Sequence, residues 1–168
     1  MKLSIAKYRD WIRLILKLVI LVVVLWLIFG VFVGLHRVNG VTMSNRVEDG
    51  DLVLYSRIND EYAADDVIIF EHDAKTMVSS ILAMPNDLIE IDEIGCLYVN
   101  GIQVSEDVVY NLEQGETPGI SFPYRVPNGS YFLLNENLEA PEDSRSFGAI
   151  FKKDIKGKIV GILRTRSV

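Results

Sequence analysis

The chain has 168 residues, a net charge of −6 at pH 7 and one cysteine, Cys96. This length predicts one domain, and a single cysteine excludes an intrachain disulfide framework and a cysteine zinc site. Residues 38–149 carry 21 Asp/Glu against five Lys/Arg. This acidic region argues against a nucleic-acid partner. Its carboxylates form either a solvated face or a surface that attracts basic segments of a partner.

The N-terminus contains one long apolar run, residues 14–35, in which Lys17 is the only charged residue. A helix of this length spans about 33 Å, enough to cross the hydrocarbon core of a bilayer. The basic residues before it predict that residues 1–13 are cytoplasmic and residues 36–168 extracytoplasmic. The alternative is a cleaved signal peptide, but such a peptide has a shorter apolar core and an A-x-A-like site, which "FGVFVGLHRV" lacks. We therefore expect a single-pass protein of the cell membrane.

The region after the apolar run is rich in short strand-like segments bounded by turn formers. The dipeptide Asn100-Gly101 predicts a type I′ hairpin turn, and a second hairpin is expected near residues 72–75. Residues 111–123 are predicted to form a long surface loop, and such loops are often functional. No amphipathic helix of ordinary length occurs here, so the expected fold is mainly β. The predicted strands cover residues 51–56, 66–70, 76–82, 87–91, 131–134 and 158–164.

Few side chains are candidates for acid–base chemistry. The chain has only two histidines, His36 beside the predicted membrane surface and His72 in a predicted turn. A hydroxyl nucleophile with a lysine base remains possible, because burial favours the neutral amine that can accept a proton. No metal site and no cofactor are predicted, and no glycine-rich phosphate loop is present.

The stretch "GVTMSNRVEDGD", residues 40–51, resembles the nucleophile loop of type I signal peptidases, which reads G-x-S-M-x-P-T-L-x-x-G-D. These enzymes are membrane-anchored serine proteases with a Ser/Lys dyad. In this register Thr42 stands at the position of the nucleophilic serine, and Asn45 replaces the proline.

Three further segments resemble boxes of the same family, in the same order. The lysine segment Y-V-K-R-V-I-G-x-P-G-D matches residues 77–87, with Ser79 at the general-base lysine and Ser80 at the next arginine. The hairpin G-x-L-Y-V-N-G matches "GCLYVNG", residues 95–101. The late box G-D-N-R-x-x-S-x-D-S-R-x-F-G matches "NENLEAPEDSRSFG", residues 135–148, with Pro141 at a serine that helps to orient the lysine.

The resemblance implies a fold and a site. The fold is a signal-peptidase-like β-domain on the outer membrane face, carried by one N-terminal transmembrane helix. Asp143 and Arg145 match a structural ion pair near the family's site. The peptide groove is expected to include Val41, Met43 and Val78.

The catalytic positions of the family are altered in this chain. Thr42 and Ser79 occupy the two dyad positions and are predicted to be inactive there. The added methyl group of Thr42 crowds the attack geometry, and a serine hydroxyl does not accept a proton near neutral pH. Loss of one member of a cooperative catalytic unit can cost roughly a millionfold in turnover. Lys75 is the nearest lysine in sequence, but four strand residues separate it from Ser79 by roughly 13 Å.

This pattern is similar to that of the signal-peptidase-like proteins associated with pilus loci of Gram-positive bacteria, which lack the dyad yet support pilin polymerisation by sortases. The resemblance therefore predicts a non-catalytic assembly factor whose partner is a pilin subunit, a pilus sortase or both. Two alternatives remain. One is an active, divergent signal peptidase that uses Thr42 with an unidentified base, and the other is a membrane-tethered binding domain unrelated to pili.

Overall fold

The computed structural model describes residues 2–38, 47, 49–58, 61–93, 95–104, 119–135 and 143–164. Helix α1 (Lys2–Leu27) leads into a π-helical turn (Ile28–Phe32). The segment Arg9–Phe32 is long and apolar enough to cross a membrane, and all its residues are exposed. The span predicted from sequence, 14–35, ends three residues later, because the last apolar residues of that run belong to the first strand.

The region after the helix is mainly β, as the sequence predicted. Among the described residues of this region, two short helices lie near the C-terminal end, namely α2 (Ser144–Phe147) and a 3₁₀ turn (Lys152–Asp154). Within the described residues the strands are β1 (Val33–Arg37), β2 (Leu52–Ser56), β3 (Val67–His72), β4 (Lys75–Ala83), β5 (Leu88–Ile91), β6 (Leu97–Val99), β7 (Ile102–Gln103), β8 (Tyr124–Arg125), β9 (Ser130–Leu134), β10 (Ile150–Phe151) and β11 (Ile155–Leu163).

These strands form two sheets. The larger sheet has the order β1-β2-β11-β3-β4-β9-β10 and the smaller sheet the order β7-β6-β5-β8. Every strand pair is antiparallel. The six predicted strands are present, whereas β1, β8 and β10 were not predicted. Strands β8 and β10 are only two residues long, and β1 was hidden in the apolar run.

Both predicted hairpins form, and the turn type predicted for Asn100-Gly101 occurs in both. Asn100 and Gly101 have φ values of 52° and 79°, and Asp73 and Ala74 have φ values of 48° and 60°. Two consecutive residues with positive φ define the type I′ turn, whose twist matches that of the paired strands. Of the predicted long loop, residues 119–123 contain no helix or strand, and residues 111–118 lie outside the described residues.

Strands β3 and β4 form the centre of the core, because both faces of this pair are buried. Alternating side chains of the two strands enter two clusters on opposite sides of the sheet, and a third cluster packs beneath the smaller sheet. Burial on both faces explains the nearly continuous apolar sequence of these strands. The fully buried hydrophobic residues of the pair are Ile68, Ile69, Phe70, Ile81 and Ala83.

The uneven charge of the sequence is partly neutralised inside the domain. Basic residues of the C-terminal strand region form ion pairs with carboxylates of the acidic region. Lys156 lies 2.9 Å from the carboxylate of Glu71, and the same amine donates to the hydroxyl of Thr76 at 3.0 Å. The remaining pairs are Lys158 with Asp66 and Arg164 with Asp51.

Candidate functional site

The late sequence box forms a buried ion pair between Asp143 and Arg145. The two side chains are 0% and 1% exposed. The Nε of Arg145 lies 2.9 and 3.0 Å from the two carboxylate oxygens of Asp143, and Nη2 lies 2.8 Å from Oδ2. This fork geometry is the strongest form of the arginine–carboxylate interaction.

The same box fixes helix α2 against strand β9. The carboxylate of Asp143 caps the helix by accepting the backbone N–H of Arg145 at 3.0 Å, and it also accepts the N–H of Asn135 at 2.9 Å. The hydroxyl of Ser144 accepts the N–H of Leu133 at 2.9 Å. One buried cluster of polar groups therefore satisfies the backbone donors of two elements, which explains why the D-S-R sequence persists.

Two further residues that the sequence did not single out position this helix. Gly119 lies so close to the backbone of Ser146 that a β-carbon would contact its carbonyl oxygen at 2.5 Å. The hydroxyl of Tyr124 accepts the N–H of Ala149 at 3.1 Å, just after the helix. Neither residue carries a sequence signal, because each is defined by an approach between segments far apart in the chain.

Ser79, which the sequence resemblance predicts to stand at the family's lysine base, lies in the middle of strand β4 and is fully buried. It pairs with Ile68 of β3, and strand alternation puts it on the same face as Met77 and Ile81. Within the part of the chain that the structure describes, neither its hydroxyl nor that of Ser80 has a hydrogen-bond partner. A buried polar group without a partner is costly, which makes this position a candidate for contact with a further group.

The other predicted site residues fall into two groups. Val41, Thr42 and Met43 lie outside the described residues, so their predicted closeness to Ser79 stays a prediction. Val78 is buried in the cluster that also contains Val53. Its predicted place in a peptide groove also stays a prediction.

The five lysines that follow the membrane helix all lie on the surface. Lys75 is exposed at the β3–β4 turn, in register with His72, and thus sits four residues from Ser79 along the same strand. Lys156 and Lys158 form ion pairs with carboxylates. Lys152 and Lys153 are exposed on the 3₁₀ turn. None of the five is buried, and burial is what lowers the pKa of a lysine enough for it to act as a base.

The two histidines occupy different surroundings. Burial, with a smaller contribution from the charge of Lys156, lowers the pKa of His36, so this residue is neutral at neutral pH. The ring of His72 stacks on Phe147 of α2, with 4.1 Å between ring centroids, and its Nε2 lies 3.7 Å from the carboxylate of Asp73. His72 thus has a packing role that links the hairpin to α2.

No group of three or more metal-ligating side chains comes together in the described part of the chain.

The mainly β fold and the sequence boxes are those of the class that contains the membrane-anchored signal peptidases and their relatives. The family model "Signal peptidase, peptidase S26" matches residues 9–163, and the chain belongs to this family. The membership predicted from the sequence boxes is thereby confirmed. The N-terminal apolar helix fits the membrane anchor of a signal-peptidase-like protein.

Several curated relatives cover most of the chain. Signal peptidase I of Bacillus licheniformis is 30% identical over 161 residues, which cover 88% of this chain and 84% of the relative. Signal peptidase I V of Bacillus subtilis (strain 168) is 27% identical over 138 residues, covering 74% and 82%. Signal peptidase IB of Staphylococcus aureus is 25% identical over 169 residues, covering 90% and 88%.

A solved structure is also similar. Signal peptidase I of Enterococcus faecalis V583 matches with a TM-score of 0.43 and 22% identity, and the match covers 59% of this chain and 97% of that chain.

Proposed function

We propose that this member of the signal peptidase family is a non-catalytic membrane protein that binds an extended polypeptide and assists pilin polymerisation with a sortase. One observation carries the non-catalytic part of the proposal. A buried serine, Ser79, stands at the position of the lysine base, while every lysine beyond the membrane helix is on the surface.

The chemistry behind this observation is the state of the amine. A lysine acts as general base only when burial or a neighbouring cation makes its neutral form accessible. Lys156 is paired with Glu71 and Lys158 with Asp66, and both amines are partly exposed. Lys75, Lys152 and Lys153 are exposed on the surface. These environments support the proposal that no lysine activates the hydroxyl of Thr42.

The retained scaffold supports a binding role. The ion pair of Asp143 and Arg145 and both type I′ hairpins maintain the framework, although the dyad residues have changed. Sheets with exposed strand edges can accept an extended peptide as an additional strand. A pilin segment held in this way would be presented to a sortase without being cleaved. The choice of pilin and sortase as partners rests on the similarity to pilus-associated relatives.

Complementation of a gene deletion tests this proposal. The deletion should abolish polymeric pili, and both the intact gene and Thr42→Ala should restore them to a similar level, because binding does not require the Thr42 hydroxyl. Immunoblots of the cell wall, scored for high-molecular-mass pilin polymer, provide the measurement. Loss of polymer in cells that hold normal amounts of Thr42→Ala protein would contradict the proposal.

A second candidate function is that of an active signal peptidase. The relatives from Bacillus and Staphylococcus are named signal peptidases, and Thr42 keeps a hydroxyl at the nucleophile position. This candidate requires a base other than a buried lysine. Cleavage of a secretory precursor by the purified protein distinguishes the two functions.

We also propose that the β-domain lies outside the cell membrane, with the N-terminus in the cytoplasm. The basic residues before the span favour this orientation. Protease added to intact protoplasts should digest an epitope tag placed after Arg164 and spare a tag placed before Lys2. The opposite protection pattern would overturn the orientation and, with it, any role on extracellular pilins.

A further inference from the structure

The membrane helix joins the β-domain without a connecting loop. Strand β1 begins at Val33, directly after the last residue of the π-helical turn, Phe32. Val33 pairs with Ser56, the last residue of β2. The C-terminal end of the helix therefore lies beside Arg57, the residue that follows β2.

Arg57 makes two hydrogen bonds to the end of the helix. Its backbone N–H donates to the carbonyl of Phe32 at 3.0 Å, and its guanidinium Nη1 donates to the carbonyl of Gly30 at 2.9 Å. The last carbonyls of a helix lack intrahelical partners, and a cation at this end also interacts favourably with the helix dipole. The side chain of Arg57 therefore acts as a bridge from the sheet to the anchor.

The guanidinium is itself held by the core of the β-domain. Its carbon lies 5.6 Å from the ring centre of Tyr55, and Nη2 lies 3.5 Å from the Tyr55 hydroxyl. The Tyr55 side chain is buried and crosses directly over Gly34, where a β-carbon would overlap the ring. Because the ring cannot move away from the core, the position of Arg57 is fixed relative to the sheet.

The location of the bridge suits a residue at the membrane surface. The span Arg9–Phe32 has 24 residues. Its helical length of about 36 Å exceeds the hydrocarbon thickness of about 30 Å. The carbonyl of Gly30, two residues before the end of the span, thus lies near the headgroups, where an arginine is well tolerated. The glycines at 30 and 34 would otherwise allow the chain to pivot at this junction.

We propose that Arg57 is a positioning residue that couples the membrane helix rigidly to the β-domain and so sets the tilt of this domain over the bilayer. Because the junction is rigid, the domain presents the same face to every polypeptide that emerges from the membrane beside it. This inference concerns the anchor and does not depend on whether the protein cleaves its partner.

Distance measurements on the full-length protein in lipid nanodiscs test the coupling. Nitroxide labels at Val22→Cys in the helix and Phe151→Cys on strand β10, in a Cys96→Ser background, report the angle between helix and domain. The parent protein should give one narrow distance distribution. Arg57→Ala should broaden it, with the population of undocked orientations rising roughly tenfold, as expected for the loss of a charged hydrogen bond.

Arg125→Ala is the matched control, because Arg125 is also exposed and its guanidinium also donates to a backbone carbonyl, that of Asn86, at 2.9 Å. This variant should keep the narrow distribution. A second label pair within the β-domain, Ile102→Cys with Phe151→Cys, should stay narrow in Arg57→Ala. An unchanged helix-to-domain distribution in Arg57→Ala would overturn the proposal. Equal broadening in Arg125→Ala, or broadening of the pair within the domain, would overturn it as well.

Discussion

Replacing Arg145 by alanine is expected to lower the free energy of unfolding by about 3–5 kcal/mol, because it leaves the carboxylate of Asp143 buried without its cation. Asp143 is fully buried and receives three donors from Arg145 besides the N–H of Asn135. Urea denaturation, followed by circular dichroism in detergent, measures the change. Arg145→Lys should also be destabilising, since an ammonium group does not reproduce the planar fork.

The exposed ion pair between Lys156 and Glu71 provides the control. Its two side chains are 37% and 50% exposed, so Lys156→Ala should change the unfolding free energy by no more than about 1 kcal/mol. If Arg145→Ala were no more destabilising than Lys156→Ala, the buried ion pair would not hold α2 against β9.

Gly157→Ala should be the second strongly destabilising substitution, with a loss of about 3 kcal/mol or more, because the new β-carbon would overlap the backbone carbonyl oxygen of Ser56. The obstacle is backbone in the neighbouring strand, which cannot rotate away as a side chain can. Relief would require β11 and β2, which are both interior strands of the larger sheet, to separate. The same urea denaturation provides the measurement.

Gly161→Ala on the same strand is the matched control. A β-carbon at Gly161 would meet Leu54 at 3.8 Å, an ordinary contact, so this variant should retain nearly the stability of the parent. Equal losses for Gly157→Ala and Gly161→Ala would show that the close approach to Ser56 is not what requires glycine at position 157.

The parts of the fold that were predictable from sequence are those set by local interactions. The turn at Asn100-Gly101 and the six predicted strands carry their own signals, because turn chemistry and β-branched runs act over a few residues. Strands β8 and β10 have only two residues each, and distant partners define them. Strand β1 follows the membrane helix within one continuous apolar run, so hydropathy alone could not separate the two.

The candidate site likewise has parts that were predictable from sequence and parts that were not. The D-S-R box predicted a paired Asp143 and Arg145 through family resemblance, and the structure adds the burial and the backbone donors that the pair satisfies. The predicted turn near residues 72–75 indicated an exposed Lys75, but the surface positions of the four lysines at 152, 153, 156 and 158 could not be read from the sequence. Lys156, for example, contacts Thr76 across 80 residues of chain. Arg57 likewise acquires its role only when β2 pairs with the strand that leaves the membrane.

The most direct test of the account is cleavage of a secretory precursor by the purified full-length protein in detergent micelles with lipid. Since the proposed function assigns Ser79 to the base position and no lysine after the membrane helix is buried, we expect no product above the level without protein, and Thr42→Ala should behave identically. Signal peptidase I of Bacillus licheniformis, assayed under the same conditions, is the positive control. Cleavage by the parent protein that is lost in Thr42→Ala would contradict the account and establish an active peptidase with Thr42 as nucleophile.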